Sequence, residues 1–146
     1  MHSWRDDLSA AALADVDRLL DTAIRLAQQN LARTSEFDPF ALVTDGDGRL
    51  LAVELDTAAL GKHPDSEMIA DATAAQLRHL SPSARCSALT LNTRLSRERT
   101  NALEVRLEHR DGVALLVLLP HKRPTFGGNV EYGQLKAFPG KRDVWV

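Results

Sequence analysis

Six side chains able to hold an anion fall in two short stretches: Arg94, Arg97 and Arg99 in RLSRER, and His121, Lys122 and Arg123 in HKR. Guanidinium and ammonium groups attract carboxylates and phosphates by charge, and the arginine fork matches a pair of oxygens. If the two stretches meet, they focus a positive potential even on a chain of net charge -2, a balance that gives no general pull toward nucleic acid. A protein partner or a small anionic ligand fits such a surface. The bland alternative is that Glu98, the C-terminal segment or another subunit neutralises it. His109, beside an Asp-Gly turn and near the hydroxyls of Ser87, Thr90 and Thr93, offers acid-base chemistry, as does His121. Either, with a Glu or Asp partner in a pocket under the C-terminal segment, is the kernel of a small metal-independent enzyme. No nucleophile elbow, paired carboxylates or Gly-rich phosphate loop accompanies them, so binding is favoured over catalysis and no cofactor is expected.

Metal chemistry fares worse. A helix, a DG-containing hairpin and a second helix opening on His63-Pro64-Asp65-Ser66-Glu67-Met68 resemble, at coarse grain, the start of a zinc deaminase. That chemistry needs a His or Cys two residues before the catalytic Glu and a downstream Pro-Cys-x-x-Cys. Residue 65 is Asp and Cys86 is the only cysteine, so Glu67 reads as a first-turn helix acid. Asp45-Gly46-Asp47-Gly48 has the flavour of a calcium loop, but the twelfth position is Asp56 and Leu51, Ala52 and Val53 occupy the ligand region; a plain turn fits better. Cys86 itself reads as a small buried apolar residue, not a nucleophile.

These groups must be positioned by one domain. The chain has 146 residues, enough to bury a core without disulfides, and its apolar and charged fractions are those of a soluble globular protein. No apolar run approaches the roughly 18 residues of a membrane span, and MHSWRDDLS is not a signal segment, so a cytoplasmic location is expected.

The central stretch is Ala102 to Leu119. Leu103, Val105 and Leu107 alternate with Glu104, Arg106 and Glu108, predicting a strand with one buried face, whereas Val113 to Leu119 is apolar throughout and predicts an interior strand ended by Pro120. His109 to Gly112 joins them with Gly112 in a left-handed position. Before this hairpin, spacing predicts an amphipathic helix from Leu8 to about Ala32, started by Asp6, Asp7 or Ser9. Strands follow at 40–44 and 49–55, then a helix from Glu67 to about Leu80 capped by Asp65 or Ser66, then a strand from Arg85 to Leu95. Residues 124–146, with Phe126, Tyr132, Phe138 and Trp145, read as a packed arm holding one short strand, Val130 to Lys136.

The expected fold is therefore α+β, a single domain with a body of 1–123 and an arm of 124–146: an antiparallel five-stranded sheet in the order helix, two strands, helix, three strands, with both helices on one face. That order resembles the roadblock and profilin-like folds. FDPFALV at 37–43, VRLEHRDGVALLVLLP at 105–120 and VEYGQL at 130–135 are similar to an uncharacterised family of small bacterial proteins, a resemblance that spans most of the chain and implies no activity. The expected role is a non-catalytic binding or protein-interaction domain whose contact surface is the cationic sheet end. A homodimer, with a second copy covering the sheet, and a structural subunit of a larger assembly are further expectations.

Overall fold

Ser9 starts the first helix: its hydroxyl accepts the Ala12 amide at 3.1 Å, and α1 (Ala10–Arg33) follows, burying Val16, Leu19, Ala23, Ala27 and Leu31 along one stripe. The structure is a computed structural model that describes residues 4–34, 36–55, 60–97, 99–125 and 127–146. Next come β1 (Phe40–Asp45) and β2 (Leu50–Val53). Their connection is a turn in which the Asp45 carboxylate accepts the amides of Asp47 and Arg49 at 2.9 Å. Those amide bonds, that of Arg49 foremost, hold the Asp45 carboxyl below its usual range. Turn chemistry thus accounts for the Asp-Gly-Asp-Gly sequence; Asp56, the distal residue of the calcium alternative, lies outside the described residues. Asp65, rather than Ser66, caps α2 (Ser66–Leu80) by accepting the Met68 amide at 2.8 Å.

Three long strands follow, β3 (Ala84–Leu95), β4 (Thr100–His109) and β5 (Ala114–Lys122), then two short ones, β6 (Glu131–Tyr132) and β7 (Lys136–Pro139). The sheet runs β2-β1-β3-β4-β5, antiparallel throughout, with β6 and β7 both lying along the far edge of β5. The apolar β5 is accordingly interior, with β4 on one side and the arm on the other. It does not stop at Pro120, which pairs with Ala102 and whose carbonyl accepts the Gly133 amide at 2.8 Å. Five strands become seven because the arm supplies partners for backbone groups that the edge of β5 would otherwise leave open. Gly133 and Pro139 cut those added strands short, so neither has a readable alternation.

The helices are not on one face. Along β1, Leu42 packs with Val16, Leu19 and Ala23 of α1, whereas Ala41 and Val43 pack with Ala70 and Leu77 of α2. Along β3, Cys86 and Ala88 take the α1 side and Leu89 and Leu91 the α2 side. Strands that are apolar in both rows need cover on both faces, so α1 and α2 enclose the sheet between them.

α2 covers only the β1 and β3 half of its face. The chain end crosses part of the remainder, anchored on Glu108, whose carboxylate accepts the backbone amides of Asp143, Val144 and Trp145. Gly140 makes the crossing close, since a Cβ there would stand 2.7 Å from the Leu115 carbonyl carbon. Phe126 lies outside the described residues. No helix among them is long and apolar enough to cross a membrane.

Candidate functional site

The β3–β4 turn, the start of β4 and the end of β5 meet at one end of the sheet. Pairing fixes this: Arg94 stands opposite Asn101, Asn101 opposite His121, and His121 opposite Tyr132. The Thr100 hydroxyl donates to the His121 carbonyl at 3.0 Å and ties the turn to β5. All six cationic candidates therefore share an end of the sheet, but they do not share one surface.

Two of the six are engaged inside the protein. Arg123 donates to the Leu31 carbonyl at 2.6 Å and to the Thr34 carbonyl at 3.3 Å, so its guanidinium closes the C-terminus of α1, where unpaired carbonyls and the helix dipole favour a cation. His121 is buried with its Nε2 2.9 Å from Asn92 Oδ1 and its ring 6.2 Å from that of Tyr132. Burial, and then the charge of Arg123, pushes the His121 pKa down, so the ring is a neutral donor and not an anion-binding cation.

Arg94, Arg97, Arg99 and Lys122 remain exposed, and none has an ion-pair partner among the described residues. Strand alternation sets Arg94 on the α1 side and Lys122 on the α2 side, with Arg97 and Arg99 at the tip between them. Acidic neighbours exist: Glu36 and Asp38 border the same shallow depression as Arg94, and Glu131 pairs with Lys122 across the strands. None of the three reaches ion-pairing distance. Glu98 lies outside the described residues. Arg99 has φ +52, a left-handed backbone in which the Cβ of any L side chain costs about 1 kcal/mol relative to glycine.

A fifth exposed cation, Arg33, joins the group. Because Arg123 grips the last turn of α1, that helix ends beside the same sheet margin, and Arg33 is in its final turn. Sequence reasoning had no signal for this, since the contact between residues 31 and 123 is set by packing of Leu31 against Leu103 and Leu119.

Histidine chemistry meets a different environment from the expected one. His109 Nε2 lies 3.0 Å from Asp15 Oδ2 and its Nδ1 accepts the Asp111 amide at 3.1 Å, so the hydrogen bonds assign the proton to Nε2 and leave no ring nitrogen free. Asp15 also accepts Arg85 Nη2 at 2.9 Å, pinning α1 to the sheet. Cys86, directly across from His109, has its thiol pushed up to about 12 by burial and then by the charge of Asp15, so it stays protonated. Among the described residues, the grooves beside α2 and beside β6 that arm residues line are lined by neither His109 nor His121. His109 faces α1, on the opposite side of the sheet from the chain end.

No family model, curated protein or solved structure matches the chain.

Proposed function

We propose that this protein is a non-catalytic binding module that holds an acidic segment of a protein partner against the sheet end formed by Arg33, Arg94, Arg97, Arg99 and Lys122. One contrast carries this reading. The other arginines, Arg123 at this same end included, are committed to internal bonds: Arg5 with Asp17, Arg25 with Asp21, Arg49 with Asp45, Arg85 with Asp15, Arg106 with Glu104, and Arg18, Arg78, Arg123 and Arg142 with backbone carbonyls. Arginines without such a bond among the described residues gather at this end, with Arg110 at the opposite end the exception. Exposed cations that make no ion pair, grouped around one end of the sheet, attract an acidic partner from a distance and orient it on arrival. The strained backbone at Arg99 supports the reading, since glycine would fit that position better and an arginine is held there instead.

The test uses a fluorescent polyglutamate peptide as the probe. Wild-type protein is expected to bind it with an affinity that falls as salt rises, and the Arg97→Glu/Arg99→Glu variant to bind at least tenfold more weakly with an unchanged circular dichroism spectrum. Equal binding by the folded variant contradicts the proposal, as does a wild type that ignores the peptide at low salt.

A further inference from the structure

On the α2 side, the half of the sheet made by β4, β5 and β7 is incompletely covered. A groove of about 820 Å³ runs there between α2 and the arm, floored by Leu116 and the Glu104–Arg106 pair. On the same face Phe138, which is 43% exposed, stands beside Leu116, and half-buried Leu118 lies next along β5 between Glu104 and Lys136. The two margins differ in charge: acidic residues outnumber Arg78 on α2, and lysines outnumber Asp143 on the arm, while Arg78 donates to the Asp143 carbonyl at 3.1 Å across the groove. Glu67 and Asp71 project from α2 on one side, both exposed and without a hydrogen-bond or ion-pair partner among the described residues. Lys136 on β7 and Lys141 in the arm stand on the other; Lys136 has no such partner among the described residues, and Lys141 has only a long contact of 3.9 Å to Asp143.

From this layout we infer that the face is the interface of a homodimer, occupied by a second copy of the same chain across a twofold axis passing near Leu116 and Leu118. A twofold rotation carries the acidic margin of one copy onto the basic margin of the other, and does so twice, while the apolar strips meet at the centre. A foreign partner would need an apolar strip with a basic margin on one side and an acidic one on the other; the face turned on itself already has that pattern. Arg94 is on the opposite face and Arg97 and Arg99 are at the tip, so of the cationic group only Lys122 shares the face of this interface.

Sedimentation equilibrium tests the inference by charge exchange. Wild-type protein is expected to dimerise, and Glu67→Lys/Asp71→Lys and Lys136→Glu/Lys141→Glu are each expected to raise the dissociation constant at least tenfold. Mixing the two variants restores both attractive contacts, so the mixture should dimerise as a heterodimer, and the fourfold reversal should dimerise with itself. Arg97→Glu/Arg99→Glu should leave the dissociation constant unchanged, which separates this interface from the ligand surface. A wild type monomeric at high micromolar concentration overturns the inference. Folded single-margin variants that still dimerise overturn it equally, as does a mixture that fails to recover.

Discussion

Glu108 and His121 show what single side chains do in this chain. Sequence alternation puts Glu108 in a row with Glu104 and Arg106, yet it is 4% exposed and its carboxylate gathers three consecutive backbone amides from the chain end. Charge-assisted bonds of this kind are the strong ones. Glu108→Ala is expected to cost about 2 kcal/mol and to release residues 140–146, seen as a lower thermal midpoint and faster amide exchange confined to that segment. His121 adds a pH dependence. Its folded pKa lies below 6.5, so the stability linked to its neutral form is complete above that value and is lost as pH falls through the lowered pKa. Wild-type protein should therefore lose more thermal stability between pH 7 and pH 5 than His121→Gln, and parallel curves would place the acid sensitivity elsewhere. At Arg99, glycine should raise stability by about 1 kcal/mol while weakening polyglutamate binding. A gain in stability without loss of binding would make the residue dispensable.

At the scale of elements, what the sequence revealed depended on how local the cause was. β5 was legible because Leu115 to Leu119 is an unbroken apolar run beside the alternating β4, and the structure keeps it interior. The caps were legible to within a choice, settled in favour of Ser9 and Asp65. The cover of the sheet was misjudged although its cause was visible: Ala41 and Val43 flank Leu42, so β1 is apolar in both rows and no single layer of helices suffices. The two arm strands were hidden by brevity, since four residues at Lys136–Pro139 carry too few alternations to register, and all four are exposed. The site divided along the same line. Arg94, Arg97 and Arg99 belong to one turn and can be grouped from sequence, whereas Arg123 is drawn inward and Arg33 brought alongside by where α1 ends, a contact across 92 residues.

For the whole molecule, a net charge of -2 conceals an uneven distribution. Several acidic residues pair with arginines along α1 and the turns, or rim the groove beside α2, whereas cations without an ion-pair partner among the described residues gather around one end of the sheet, where Glu36, Asp38 and Glu131 also stand unpaired. Long-range steering of an acidic partner should then act through that end and weaken as the Debye length shrinks, to about 10 Å at 0.1 M salt. A dimer formed through the α2 side would present two such ends and gain avidity for a partner carrying two acidic segments. The most direct measurement is an amide chemical-shift titration of isotopically labelled protein with polyglutamate. Shifts centred on residues 93–101, with smaller ones at Lys122 and Arg33, are the predicted result; shifts centred on the groove between α2 and the arm, or spread evenly over the surface, would contradict the assignment of the sheet end as the binding site.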